Sequence, residues 1–264
     1  MASLKSEYRL ALEAGAQALE AALSGLDAQG TLKRCLSEIF PGESCIVSSF
    51  GTESAAILHM AADVAPDVPV LFIDTGKLFD ETLAYRDALR ERLGLTNIQT
   101  LSPSPHDLAA DDPDGTLHAR NPALCCHVRK TLPLIRALRP YKVWVSGRKR
   151  YHGGERAQIP RVEIQDGKLK LNPLFDWSAQ DLRAYAREHD LPDHPLLARN
   201  YPSVGCIPCT APVAAGEDDP RAGRWAGQDK TECGIHIGAN GQVTRARQPV
   251  ATSQGTTGHD DRQG

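Results

Sequence analysis

The chain has 264 residues, with 30 basic and 33 acidic side chains and a formal charge of −3. Hydrophobic residues make up 41% and charged residues 24%, which fits an ordinary protein of one or two domains with a proper core and excludes a disordered, collagen-like or coiled-coil chain. No apolar run approaches the roughly 18 residues of a membrane span, Met1-Ala2-Ser3-Leu4-Lys5 lacks a signal-peptide core, and the slight acidity argues against a nucleic-acid binder, so a cytoplasmic protein is expected.

Residues 4–29 are rich in Ala, Leu and Glu and predict a helix ending near Gly30. Cys45-Ile46-Val47-Ser48-Ser49-Phe50 reads as a buried strand, followed by the turn Gly51-Thr52-Glu53-Ser54 and a helix over 55–63. Val68-Pro69-Val70-Leu71-Phe72-Ile73 is a second buried strand running into Asp74-Thr75-Gly76, and Phe79 to Leu93 reads as a helix stopped by Gly94. Residues 98–101 and 142–146 are further strands. Such alternation predicts an α/β fold, a mostly parallel sheet with helices on both faces. Val162-Glu163-Ile164-Gln165 and Lys168-Leu169-Lys170-Leu171 flank Asp166-Gly167, a hairpin signal. Ser178-Ala179-Gln180-Asp181 is a capping box, and Leu182, Tyr185, Ala186 and His189 form the apolar face behind it. Residues 191–232 are rich in Pro, Gly and charge and predict a loop-rich C-terminal segment. The expected organisation is an N-terminal helix over 1–30, one domain over 31–241 whose catalytic segment is about 210–241, and a disordered tail over 242–264.

The turn Ser49-Phe50-Gly51-Thr52-Glu53-Ser54 joins a strand to a helix, where backbone N–H groups can face an anion. It is not a Walker loop, and a tight capped turn explains the same residues. Asp74-Thr75-Gly76 ends the second strand at the carboxyl edge of the sheet, where open α/β sheets bind ligands.

Seven cysteines, an odd count, do not form a disulfide framework. Cys206-Ile207-Pro208-Cys209 alone suits a zinc knuckle, a redox dithiol or a cluster, and Cys125-Cys126 supplies two more thiolates. The adjacent pair favours an iron–sulfur cube, whose separated irons can meet side chains that point in different directions. Buried packing is the plainer reading, weakened by Arg120, His127, Arg129 and Lys130 nearby. Arg129 and Lys130 stand one turn from the pair if the segment is helical, as compensating cations or as a solvated basic face. Glu232-Cys233-Gly234-Ile235-His236 holds a lone cysteine that is either a reactive thiolate steadied by His236 or an inert one. Arg221 and Arg224 upstream can fork to sulfate or phosphate oxygens, or stand on a surface loop. Cys35 and Cys45 read as packing residues.

Taken together, these residues resemble the assimilatory sulfonucleotide reductases, the PAPS/APS reductase family, and within it the adenylyl-sulfate (APS) reductase branch. The resemblance is carried, in order over residues 45–237, by Ser49-Phe50-Gly51-Thr52-Glu53-Ser54, Asp74-Thr75-Gly76, Cys125-Cys126-His127-Val128-Arg129-Lys130, the stretch from Tyr201 to Thr210, Arg221-Ala222-Gly223-Arg224-Trp225 and Glu232-Cys233-Gly234-Ile235-His236. It implies a fold like that of the ATP-pyrophosphatases (adenine nucleotide alpha-hydrolases) and a [4Fe–4S] cluster on Cys125, Cys126, Cys206 and Cys209. It implies catalysis by Cys233 with His236 and Lys130, and substrate binding by the two turns with Arg150, Arg221 and Arg224. The four cluster cysteines, typically missing in the PAPS branch, point to APS. One stretch departs from the family pattern: Gly147-Arg148-Lys149-Arg150-Tyr151-His152-Gly153-Gly154 has Lys149 for the first arginine and Tyr151-His152-Gly153 for the polar residues after the second.

The reaction so implied is reduction of APS to sulfite and AMP by thioredoxin or a similar dithiol, through an S-sulfocysteine on Cys233, in sulfate assimilation and cysteine biosynthesis. PAPS or dual activity is the alternative. An adenylating ligase of the same fold and an iron–sulfur redox sensor on nucleic acid rank below it. No nucleic-acid or membrane partner is expected, and homo-oligomerisation is left open.

Overall fold

The computed structural model describes residues 2–214, 216, 217, 219–225, 232 and 235. Six strands form one sheet: β1 Ser44–Ser48, β2 Val70–Ile73, β3 Ile98–Leu101, β4 Val143–Ser146, β5 Val162–Gln165 and β6 Lys168–Leu171. Their order is β3-β2-β1-β4-β6-β5, and every pairing is parallel except β5 with β6. The chain winds outward from β1 through β2 to β3, then returns to place β4 on the other side of β1. This reversal opens a crevice above the carboxyl ends of β1 and β4.

Period-two alternation divides the core between the faces. Ile46, Val70, Phe72, Val143 and Val145 pack into one cluster with helices α3 (Ser54–Val64), α4 (Asp80–Leu93) and α9 (Ala179–Glu188). Cys45, Leu71, Ile73 and Trp144 face the other way, against Leu134 and Leu138 from α8 (Leu132–Ala137) and its end. Helices thus cover both faces, as expected. Cys35 and Cys45 are fully buried packing residues, and burial pushes the Cys35 thiol up to about 12.

The predicted helix over 4–29 is two helices. The first, α1, spans Ala2–Ala22, and α2 spans Ala28–Lys33. Gly30 stops neither: its N–H donates to Asp27 Oδ1 at 2.7 Å, so Asp27 starts α2 and glycine lies inside it. Gly94 does end α4, in the left-handed conformation at φ 63°. The hairpin and capping box also form, with Asp166 and Gly167 at φ 50° and 73° and Asp181 Oδ2 accepting from Ser178 N at 2.8 Å.

The cysteine-bearing helix is irregular. Two short helices, α5 (Pro105–Asp111) and α6 (Leu117–Arg120), precede α7 (Pro122–Cys126), which runs through a π-helical turn over His127–Thr131 into α8. Pro133 has no N–H and its ring crowds the carbonyl four residues back, and a widened turn relieves this. The predicted tail over 242–264 lies outside the described residues.

Candidate active site

A cavity of about 200 Å³ occupies the crevice above β1 and β4. Its floor is the strand-to-helix turn, from which Ser49, Gly51, Thr52, Glu53 and Ser54 face it. Phe50 takes a left-handed backbone at φ 48° and turns its ring into the core, edge-on to Phe72. That reversal lets the turn present its backbone and small side chains upward. Helix α3 begins there without a side-chain cap from Glu53, so its N-terminal end faces the crevice.

The walls are cationic. Lys130, Arg148, Lys149, Arg156, Arg221 and Arg224 line the cavity, and among the described residues Glu53 is the one carboxylate there. Glu53 is already engaged. Its Oε2 accepts from Lys149 Nζ at 2.6 Å and lies 3.1 Å from His152 Nε2, while the Tyr151 hydroxyl donates to Oε1. Burial pushes the Glu53 carboxyl up, but Lys149 and His152 outweigh it and hold it well below the usual carboxylate range. Burial, helped by the Lys149 and Arg156 charges, pulls His152 down toward the neutral imidazole against the pull of Glu53. Arg156 Nη1 reaches His152 Nδ1 at 2.9 Å and extends the chain of contacts to Glu232. Crowding by burial and by Arg156 lowers Arg221 to about 10. A pocket whose cations outnumber its carboxylates suits a ligand with several negative charges.

The cysteine loop forms the opposite wall. Thr52 Oγ1 donates to the Pro202 carbonyl at 2.7 Å, and Val204 and Gly205 line the cavity. Glycine at 205 lets the Arg224 guanidinium lie against this loop, since a Cβ would stand 2.3 Å from Arg224 Nη2. Arg224 Nε in turn donates to the Cys209 carbonyl at 3.2 Å. Behind this wall Thr75 Oγ1 lies 3.3 Å from Cys206 Sγ, and Ile207 N–H donates to the Lys77 carbonyl. Thr75 therefore faces Cys206, and none of Asp74, Thr75 and Gly76 lines the cavity. Buried Arg129 donates to Asp112 and to the Thr75 carbonyl beside them.

Cys125, Cys126 and Cys206 are buried and Cys209 is half-buried. Burial raises the Cys125 thiol to about 11; Arg129 opposes this, and Cys206 and Cys209 add to it. Three thiols from distant segments are thus in electrostatic reach of one another, with an arginine alongside. Among the described residues no three Cys, His, Asp or Glu groups are drawn together as one metal ion requires. The donor set is thiol-only, a chemistry that suits an iron–sulfur cluster or zinc.

Of the residues singled out from sequence, Ser49, Gly51, Thr52, Glu53, Ser54, Lys130, Arg221 and Arg224 share the cavity wall. Arg150 does not. It opens a 3-10 turn by donating its N–H to the Phe175 carbonyl, and its guanidinium stacks 4.6 Å from the Phe175 ring. Arg148 and Lys149, just before it, face the cavity instead. Sequence reasoning missed them, with His152, Arg156 and Trp144; the available signal was a basic run directly after a strand's carboxyl end. Cys233 and His236 lie outside the described residues, although Glu232 and Ile235 are described.

Comparison with known proteins agrees with this geometry. The family model described as "Phosphoadenosine phosphosulfate reductase domain" matches residues 43–212. The chain is similar to the adenosine 5'-phosphosulfate reductase of Mesorhizobium japonicum, at 47% identity over 85% of this chain and 88% of that protein. It is also similar to the like-named protein of a Chelativorans species, at 48% identity over 78% and 83%. Among solved structures it resembles the phosphoadenylyl-sulfate reductase from Candida auris in its phosphate complex, with TM-score 0.61 and 25% identity over 73% of this chain and 94% of that one.

Proposed function

The chain belongs to the phosphoadenosine phosphosulfate reductase family, with its ATP-pyrophosphatase-like fold, and we propose that it reduces adenylyl sulfate to sulfite and AMP in sulfate assimilation. The observation that carries this reading is the cationic cavity at the β1–β4 crevice, walled on one side by the cysteine loop.

The residues divide the work. The turn Ser49–Ser54 and the start of α3 hold the nucleotide phosphate. Lys130, Arg148, Arg221 and Arg224 offset the repulsion between a thiolate and an anionic sulfonate. The Cys233 thiolate attacks the sulfur of adenylyl sulfate; the new S–S bond forms as the bond from sulfur to the phosphate oxygen breaks, and AMP leaves with that electron pair. A dithiol of the thioredoxin type then attacks the Cys233 sulfur. Sulfite departs with the S–S electron pair, and the second thiol of the donor resolves the mixed disulfide, regenerating Cys233 and leaving the donor oxidised. His236 supports the thiolate.

Cys125, Cys126, Cys206 and Cys209 would hold a [4Fe–4S] cluster. When bound, that group would supply a fixed local charge that tunes the field at Lys130, rather than an electron path. A reducing compartment such as the cytoplasm keeps these thiols available.

The test is anaerobic sulfite release from adenylyl sulfate with a dithiol donor, run beside phosphoadenylyl sulfate. Mass spectrometry of the Cys233 peptide should find an SO3 adduct when the donor is omitted. Preference for phosphoadenylyl sulfate would reassign the substrate, as the Candida auris likeness allows. Pyrophosphate release from ATP without sulfite would overturn the reading.

A further inference from the structure

Glu232 and Ile235, two described residues, are each held by part-buried polar contacts. Glu232 is a side chain only 9% exposed, bound by Arg156 through two nitrogens (Nη2 to Oε2 at 3.0 Å) and 3.6 Å from Arg221 Nη2. Burial pushes its carboxyl up, but Arg156 and Arg221 outweigh that and hold it below the ordinary value. At the other end, Gln165 Nε2 donates to the Ile235 carbonyl at 2.7 Å.

The second contact is oriented by a buried charge. Lys170 is fully buried on β6, and its ammonium donates to Gln165 Oε1 at 2.9 Å while pairing with Glu163 at 3.0 Å. An ammonium has no acceptor, so it fixes the amide with oxygen toward Lys170 and NH2 toward Ile235. The Ile235 side chain meanwhile packs on the apolar cluster of Trp144, Leu71 and Leu134 and lines the cavity. Neither contact is a surface accident: each uses a side chain from the β5–β6 hairpin or the turn before it, and each is backed by a second charged group.

We propose that Arg156 and Gln165 form a two-point anchor that holds Glu232 and Ile235 in place, so that Glu232 is a positioning residue for the chemistry of its sequence neighbour. Cys233 stands between the anchored residues in the sequence, and the proposal rests on the reading of Cys233 as nucleophile. Arg156 also contacts His152, which contacts Glu53, so the anchor is continuous with the nucleotide-facing turn. The seat and the floor of the cavity are thereby held in register by one chain of charged hydrogen bonds.

The experiment compares holoenzyme with Glu232→Gln, Glu232→Asp and Gln165→Leu. Hydrogen exchange of the peptide containing Glu232 and Ile235 reads the seating without any chemistry. Single-turnover S-sulfonation at saturating adenylyl sulfate reads its consequence, and AMP affinity reads the cavity. Protection of that peptide and the single-turnover rate should both fall, by roughly ten- to a hundredfold in Glu232→Gln, whose bond is charge-assisted, and by roughly two- to tenfold in Gln165→Leu, whose bond to the Ile235 carbonyl is neutral. AMP binding and protection of the sheet should be kept, and Glu232→Asp should restore part of the rate. Unchanged protection of the peptide in both variants overturns the anchor. Loss of AMP binding with the rate overturns it too, since that is general damage to the cavity. If Cys233→Ser still forms the adduct, the nucleophile reading fails, and the exchange result alone then decides the anchor.

Discussion

Glu53 and Lys149 are 96 residues apart in the sequence and meet at 2.6 Å in the cavity wall. The pair is asymmetric, because Lys149 is 3% exposed whereas Glu53 keeps a quarter of its side chain in solvent and has His152 and Tyr151 as further partners.

Glu53→Gln therefore leaves a buried ammonium without its counter-charge and should cost about 3 kcal/mol by urea denaturation. Lys149→Met leaves a carboxylate with other partners and should cost about 1 kcal/mol. The double variant should be more stable than Glu53→Gln alone. The reverse ranking would show that Lys149 is neutral in the folded protein.

The pH dependence follows from the same pair. The folded Glu53 carboxyl is held below its ordinary value of 4.5, so the unfolded chain takes up its proton first on acidification. The stabilisation is complete above that value and is lost as the pH falls through the folded pKa. Glu53→Gln should lack this acid limb. In that variant Lys149 adds a limb of the same slope at high pH: burial lowers its folded pKa below 10.5, so the stability deficit should shrink as the pH rises toward that value. Urea midpoints across the pH range test both limbs.

Arg150 and Arg221 should separate cleanly. Arg150 stacks on Phe175 away from the cavity, so Arg150→Ala should cost about 0.5–1 kcal/mol of stability and leave AMP affinity as it is. Arg221 lines the cavity, and Arg221→Ala should weaken binding of adenylyl sulfate by roughly tenfold or more, with a shallower salt dependence. Calorimetric titration of both variants distinguishes them. Equal losses would place Arg150 at the ligand.

Gly205→Ala tests the contact between the cysteine loop and the cavity. The new methyl group would stand 2.3 Å from the Arg224 guanidinium, which is the end of a flexible side chain and can swing away. The fold should survive, the Arg224 contact with the Cys209 carbonyl should break, and KM should rise. An unchanged KM would remove Arg224 from substrate binding.

The thiols should sort by content and by chemistry. Anaerobically purified protein should carry about four irons with matching sulfide. Cys125→Ser or Cys206→Ser should lose them, whereas Cys233→Ser should keep the iron and lose the SO3 adduct. Iron lost from Cys233→Ser would break this division.

The local rules were legible in the chain. Continuous apolar runs marked β1, β2 and β4 because strands buried on both faces need no alternation, and Asp166-Gly167 and Ser178 announced their turn and cap by backbone chemistry that acts within four residues. The cysteine motifs and the glycine turn were visible for the same reason. Where a local signal had two readings it failed: Gly30 looked like a helix stop, but Asp27 caps the helix that contains it.

What no local pattern could decide was which charges meet. Lys149 reaches Glu53 only because β4 pairs beside β1, and Arg156 reaches Glu232 across 76 residues only because the hairpin and the C-terminal segment fold to one edge. Arg148, Lys149 and Arg150 are alike as sequence, and the backbone path after β4 sends two into the cavity and one onto Phe175. Residue types and short spacings set the elements, because those forces act over a few bonds. Partners for buried charges are chosen by strand order, because desolvated ions must pair with whatever the topology brings within hydrogen-bonding distance.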